Sequence, residues 1–227
     1  MTRQTLQIKV LVLRSYPSGE ADLVYRLLSS SHGKITAIAK HVKRSKRRFA
    51  ALPEPFDIGE AEISTTRGDL ALFGGFLPRR SPRRLREHLP LFSLGCTLCE
   101  CFDAMLHEGT LEHSEELFRA ACDGLSALND TSPDHNPLLP ASKTIRKLIR
   151  LSGFLDDSPR TSDDEERDSI GTTQQWNSLL DRIEEITERP LRTRTFGMRA
   201  FETQKSTQIH KDQLRNDEIL RTNELGQ

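Results

Sequence analysis

The feature of this sequence that most constrains its fold is a change of hydrophobic period near residue 86. Before that point, short runs of β-branched and aliphatic residues alternate with breaks that contain Gly, Pro, Ser or Asp, which is typical of β-strands joined by turns. After that point, apolar residues recur at three- and four-residue steps, the period of an α-helix. The sequence therefore predicts an α+β chain, with the β-structure first and the helices after it.

The first part predicts five short strands, at residues 7–14, 23–29, 35–42, 56–64 and 70–78. Pro17 and Gly19 are expected to break the first strand from the second, and Gly59 is expected to make the fourth irregular. Five antiparallel strands in about 70 residues suit a small closed barrel, and the oligonucleotide-binding (OB) barrel is the leading candidate. An SH3-like barrel has a similar strand pattern, so strand number leaves both open.

The second part predicts four helices. The first spans the apolar repeat from Leu91 to Met105, and the second starts at Ser114, a candidate N-cap that acidic residues follow. The third covers 139–154 and stops near Gly153, and the fourth covers 176–190. We therefore expect an OB-fold domain at 1–80, an all-α domain at 81–196 with a flexible insertion at about 156–173, and a disordered tail at 197–227.

Positive charge is concentrated in the predicted barrel. Residues 1–90 contain 17 Lys and Arg against 8 Asp and Glu, and the rest of the chain contains 16 against 25, although the whole is formally neutral. The basic residues form two clusters, one after the third predicted strand and one after the fifth. A cluster of like charge is usually a solvated surface, but these two contain no acidic residue and lie in loops, where binding groups are commonly displayed. If the two loops lie close together, they form one positive groove for nucleic-acid phosphates. The candidate residues are Lys40, Lys43, Arg44, Lys46, Arg47, Arg48, Arg79, Arg80, Arg83 and Arg84.

The order of several short segments resembles the amino-terminal barrel of the RecO family of bacterial recombination and repair mediators. "KLIRLSGF" and "ERPLRTRTF" are similar to later parts of that family, so that the resemblance covers residues 6–196 and is strongest in the first 60. The matching N-terminal segments are Leu13-Arg14, Gly19-Glu20-Ala21-Asp22, His32-Gly33-Lys34, Ala39-Lys40 with the basic run, and Arg48-Phe49 with Leu52, Pro55 and Phe56.

The resemblance implies a DNA-binding mediator without enzymatic activity or cofactor. Members bind single- and double-stranded DNA, anneal complementary strands, and act with RecR to help the recombinase RecA replace single-strand-binding protein (SSB). The resemblance adds Arg14 and Lys34 to the expected DNA surface. Many members have a four-cysteine zinc site after the segment that corresponds to Gly153-Phe154, but residues 155–173 contain neither Cys nor His, so we expect no zinc ribbon and no metal.

The predicted third helix has a basic ridge. Lys143, Arg146, Lys147 and Arg150 follow the i, i+3, i+4, i+7 spacing of one helix face, with Ile145, Leu148 and Ile149 on the other. An ordinary amphipathic surface helix explains this pattern equally well. The resemblance implies a docking site for the acidic, Phe-ended C-terminal tail of SSB.

Other classes of function find little support in the residues. Cys96 and Cys99 have metal-site spacing, but the helical period through them favours core packing. No nucleophile–base pair or nucleotide-binding motif is present, and a nuclease would need bound divalent metal. With no apolar run of about 18 residues and no signal-peptide pattern, we expect a bacterial cytoplasmic protein, nucleoid-associated when bound to DNA. An RNA- or ribosome-associated OB-fold protein is the main alternative.

Overall fold

A computed structural model describes residues 5–42, 52–64, 70–132, 135–154 and 173–194. Its first part consists of five strands, close to the predicted positions. They are β1 (Thr5–Ser18), β2 (Asp22–Ser29), β3 (Gly33–Ala39), β4 (Ile58–Ser64) and β5 (Ala71–Arg80).

The five strands close into a barrel in the order β1-β2-β3-β5-β4. β1 pairs antiparallel with both β2 and β4, and the ring closes through a short parallel pairing in which Ala37 lies opposite Ala71 and Ile38 opposite Leu72. The spatial order β4-β1-β2-β3 is that of a Greek key, which is the topology of the OB fold. The predicted OB-type barrel followed by helices is therefore confirmed.

Two local features of the barrel test the turn predictions. The irregularity expected at Gly59 is present, because the β4–β5 register shifts between Ile58 and Gly59. The expected strand break at Pro17 is wrong, since β1 continues to Ser18. β1 pairs with β4 only as far as Leu11, so the strand near Pro17 has a partner on one side alone and a missing N–H is tolerated there.

Five helices follow the barrel in the described residues: α1 (Arg83–Glu87), α2 (Leu89–Met105), α3 (Ser114–Asp130), α4 (Leu138–Leu151) and α5 (Thr173–Thr187). The last four correspond to the predicted helices, and α1 was not predicted. Ser114 is not an N-cap but the first residue of α3, and its hydroxyl donates instead to the carbonyl of Ser30 in the barrel. None of the helices in these ranges combines the length and apolar character that a membrane span needs.

Apolar side chains of β1 are buried on both faces of the strand. Val10 and Val12 point into the barrel, whereas Leu11 and Leu13 belong to a second cluster that contains the cores of α2, α3, α4 and α5. This explains why the strand is a continuous apolar run rather than an alternating one. The helices thus pack on the outer face of β1 and β2, and the predicted division of the chain at residue 80 stays a proposal.

Candidate nucleic-acid interface

The first predicted basic cluster begins at the end of β3. Lys40 is exposed and directly follows the strand, and Val42 packs into the barrel interior. The chain is described again from Leu52, which is 40% exposed. The remaining residues of this cluster, Lys43, Arg44, Lys46, Arg47 and Arg48, lie outside the described residues.

The second predicted cluster lies at the end of β5 and in α1. Arg79 pairs with Glu60 at 3.0 Å, and Arg83 pairs with Glu87 at 2.6 Å, with the Arg83 side chain 88% exposed. Exposed pairs of this kind contribute about 0–1 kcal/mol, so a phosphate can replace the carboxylate at little cost. Arg80 is exposed and Arg84 is half-buried, and neither forms an ion pair within the described ranges.

The described members of the two clusters do not lie side by side. β3 and β5 run parallel with Ile38 opposite Leu72, so Lys40 lies level with about Gly74. Arg80 is six residues further along β5, which corresponds to about 20 Å at about 3.3 Å per residue. One continuous positive groove therefore depends on the basic run between residues 43 and 51, and it remains a prediction.

Lys34 and Arg14 take part in a charge network between the barrel and α2. The Lys34 ammonium donates to the backbone carbonyl of Asp103 at 2.6 Å and lies 3.4 Å from its carboxylate, and Arg14 pairs with the same carboxylate at 3.0 Å. Lys34 is only 8% exposed, and burial lowers its pKa despite the nearby carboxylates. Lys34 therefore cannot reach a phosphate in this conformation, and we omit it from the interface proposed below. Arg14 keeps a side chain that is 44% exposed.

Glu108 extends this network along the edge of β3. Its carboxylate accepts hydrogen bonds from the backbone N–H and hydroxyl of Thr36 and from Arg26, and the Gly109 N–H donates to the carbonyl of Lys34. The segment after α2 thereby covers the part of β3 that β5 leaves unpaired. Sequence reasoning missed Asp103 and Glu108, because nothing in the local pattern shows that they meet cations 69 and 82 positions earlier.

Arg86 follows the second cluster two residues further along the sequence, but it has a structural role. Its guanidinium donates to Asp57 at 2.8 Å and to the carbonyl of Pro55 at 2.6 Å, and it lies over the ring of Phe56. These contacts attach the segment before β4 to α1. Because both partners of the Arg86–Asp57 pair are largely buried, exchange for a phosphate would leave a buried charge unpaired.

The basic ridge on α4 has the predicted orientation. Lys143, Lys147 and Arg150 are exposed and Arg146 is half-buried, and α4 contains no acidic residue. The apolar side is packed into the helical core, with Ile145 and Leu148 at 0% exposure, so it offers no open groove. The exposed apolar group next to the ridge is Phe154, at 47% exposure just beyond the helix end.

The cysteines of α2 pack in or against the helical core. Cys99 and Cys101 are 4% and 0% exposed, whereas Cys96 is half-buried at the edge of that core. Burial raises the pKa of all three thiols. Neutral, buried thiols are poor metal ligands and poor nucleophiles. Within the described ranges, no group of three or more His, Cys, Asp or Glu side chains is arranged to hold a metal ion.

Comparison with known proteins places the strongest similarity in the barrel. Residues 1–73 match the family model described as "Recombination protein O N terminal". The chain is 27% identical over 150 residues to "DNA repair protein RecO" of Thermoanaerobacter sp., a match that covers 66% of this chain and 58% of that protein. It is 26% identical over 157 residues to the protein of the same name from Cutibacterium acnes, covering 67% and 63%. A shorter match of 65 residues, 45% identical, covers 29% of this chain and 27% of "DNA repair protein RecO" of Myxococcus xanthus. The chain thus spans less than two thirds of the length of these curated relatives.

Proposed function

We propose, from the premise that this chain belongs to the RecO family, that it is a DNA-binding protein of recombinational DNA repair whose barrel grips phosphates through clustered cations. The observation that carries the proposal is that Lys40 and Arg80, one from each predicted basic cluster, are exposed on a closed OB-type barrel and form no ion pair within the described residues. Arg84 and the acid-free run from Lys43 to Arg48 extend this set.

The physical basis of binding is counterion release. Each Lys or Arg that neutralises a phosphate frees a condensed cation, so affinity falls steeply as salt rises. Arg79 and Arg83 join the set when DNA is present, because their exposed carboxylate partners hold them weakly. Since phosphates carry no sequence information, we expect binding of single- and double-stranded DNA with little sequence preference.

The proposed mediator role rests on the similarity to the RecO family. We propose that the chain anneals complementary strands and, together with RecR, helps RecA to replace SSB on single-stranded DNA, without catalytic chemistry of its own. The relatives are named as DNA repair proteins, which supports repair in general. We expect it to act in the bacterial cytoplasm, at the nucleoid when it is bound to DNA.

We place the SSB contact on α4. Lys143, Lys147 and Arg150 present exposed charge along one side of the helix, with Arg146 in the same row and no acid among them. An acidic peptide can pair with this ridge while an aromatic end group contacts Phe154. Phe154 thus supplies the hydrophobic contact for the peptide, because the apolar side of α4 is buried and cannot.

Annealing of SSB-coated complementary strands, with and without the protein, tests the mediator role. We expect faster annealing with the wild type and a loss of this effect when Lys43, Arg44, Arg47 and Arg48 are all changed to Ala. For single-stranded DNA, removing four phosphate contacts should reduce the slope of log affinity against log salt by about 3. An unchanged slope removes this run from the interface, and tighter binding of RNA than of DNA in a competition assay favours an RNA-associated role instead.

Binding of an SSB-tail peptide tests the α4 site separately. Arg146→Ala with Arg150→Ala should weaken peptide binding and leave naked-DNA binding nearly unchanged. Arg119→Ala with Arg182→Ala is the matched control, since it removes the same charge from exposed positions on α3 and α5. Equal peptide affinity in both double variants contradicts the assignment.

A further inference from the structure

We propose that a row of outward-facing apolar side chains across the barrel, Tyr16, Val24, Ile38 and Leu72, is a stacking surface for the unpaired bases of single-stranded nucleic acid. The inference rests on the proposed DNA-binding function and deepens it. The row would contact the faces of the bases without distinguishing one base from another, whereas the cations contact the phosphates.

The register of the strands places the four residues in one row. Tyr16 on β1 lies opposite Val24 on β2, Val24 opposite Ile38 on β3, and Ile38 opposite Leu72 on β5. Residues that lie directly opposite each other in neighbouring strands project to the same face of the sheet. Their neighbours Tyr25, Ala37 and Phe73 fill the barrel interior, so the row faces outward.

This row is apolar but belongs to neither hydrophobic cluster of the described residues. Tyr16 is 38% exposed and Ile38 and Leu72 are half-buried, whereas Val24 is 4% exposed and forms the floor between them. Tyr16 is also the one exposed aromatic side chain in the described part of the barrel. The helices cover Leu11, Leu13 and Leu28 elsewhere on the outer face of β1 and β2, and the helical core does not include this row.

Positive charges border the row, and they favour a polynucleotide over an uncharged apolar partner as its ligand. On one side the Arg14 guanidinium lies 5.5 Å from the centre of the Tyr16 ring. On the other side the exposed Lys40 is two residues beyond Ile38. The nearby Asp22 carboxylate accepts a hydrogen bond from the backbone N–H of His41.

A single strand presents apolar base faces alternately with phosphates, which is the chemistry that this arrangement complements. Aromatic side chains that stack on bases, beside cations that track the backbone, are the general means by which OB barrels hold single strands. Bases within a duplex are already stacked on one another and are not available to Tyr16. The row therefore favours single-stranded over double-stranded DNA.

The test compares a thymidine oligonucleotide of on the order of 16 nucleotides, the upper site size of an OB barrel, with an abasic strand of the same length. Tyr16→Ala should weaken binding of the thymidine strand between about five-fold and one-hundred-fold, the value of one stacked base, and leave binding of the abasic strand unchanged. Tyr16→Phe keeps the ring and should bind like the wild type. Leu111→Ala, at a 62% exposed apolar residue beyond α2, is the control.

Each other outcome overturns one statement. If the wild type binds both strands and Tyr16→Ala binds the thymidine strand equally well, the stacking surface is wrong while the proposed function stands. Equal weakening of both strands by Tyr16→Ala also contradicts stacking, because the abasic strand has no bases to lose. If the wild type binds neither strand at low salt, the proposed DNA-binding function itself fails.

Discussion

Two glycines with the same backbone conformation allow the contact between the barrel and the helical part to be measured. Gly19 and Gly33 both have φ of +62°, in the left-handed region. A Cβ added at Gly19 meets nothing within 4 Å, whereas one added at Gly33 lies 2.0 Å from the backbone carbonyl oxygen of Thr110. Ala at either position pays the same backbone penalty, about 1–2 kcal/mol, so the difference between the two variants isolates the collision.

The magnitude of that difference follows from what must move. The Thr110 carbonyl has to retreat by more than about 1 Å to reach ordinary contact distance. This movement strains the adjacent hydrogen bond from the Gly109 N–H to the carbonyl of Lys34, and losing a hydrogen bond in this exposed segment costs about 0.5–1.5 kcal/mol. We therefore expect Gly33→Ala to be less stable than Gly19→Ala by about 1 kcal/mol, or roughly 2–4 °C in Tm for a chain of this size.

Urea denaturation, monitored by fluorescence of the single tryptophan, measures this difference. Trp176 is 2% exposed in α5 and belongs to the cluster that includes Leu11 and Leu13 of the barrel, so unfolding of the shared core should change its emission. Circular dichroism on the same samples follows the secondary structure. Equal stability of the two variants, within about 0.5 kcal/mol, would refute the close packing of residues 108–110 on β3.

Two further predictions concern buried ionisable groups. Asp103→Ala leaves Lys34 without its carboxylate and should cost about 3–5 kcal/mol, and adding Lys34→Met should restore most of that loss; a double variant no more stable than Asp103→Ala contradicts the pairing. Burial raises the pKa of Cys99 and Cys101 above 9.0, so these thiols stay protonated in the folded chain and ionise on unfolding. Their contribution to stability is therefore full below pH 9 and falls above it by about 1.4 kcal/mol per pH unit for each thiol, or about 3 kcal/mol for these two at pH 10. Cys96 and Cys122 add to the same loss, because burial raises the pKa of these thiols to about 11 and about 12. Lys34 has the opposite effect on stability. Because burial lowers its pKa, the folded chain releases this proton at a lower pH than the unfolded chain, so its contribution to stability rises with pH up to 10.5. Urea titrations at pH 8 and pH 10 measure the loss, which Cys101→Ala should reduce by about 1.4 kcal/mol; an equal loss in the variant would show that Cys101 does not contribute.

The strands and longer helices could be predicted because the apolar pattern of each reflects what it buries, which is one face for β4 and both faces for the middle of β1. The alternation of residues 58–64 and the three- and four-residue steps of residues 91–105 are direct consequences of the barrel interior and the helical core. α1 could not be predicted, because its five residues contain one apolar side chain, Leu85, and so show no period. The extension of β1 through Pro17 depends on which side of the strand is paired, which local sequence does not specify.

The candidate interface was only partly predictable for a related reason. Clusters of like charge are visible in the sequence, but their partners are not. Asp103 removes Lys34 from the surface and Asp57 removes Arg86, over separations of 69 and 29 residues. The Tyr16 row is likewise hidden in the sequence, because it exists only in the register of four strands that are far apart along the chain.

The salt dependence of single-stranded DNA binding tests the central claim most directly. The triple variant Lys40→Ala, Arg80→Ala, Arg84→Ala removes three cations that have no ion-pair partners within the described ranges. The slope of log affinity against log salt should become shallower by about 2. Raising salt from 50 to 200 mM should therefore reduce the affinity of the variant by a factor about 20 times smaller than that of the wild type. A second triple variant, Lys143→Ala, Lys147→Ala, Arg150→Ala, removes the same charge from α4 and should keep the wild-type slope. Wild-type slopes in both variants, or an equal fall in both, would contradict phosphate binding by the barrel cations.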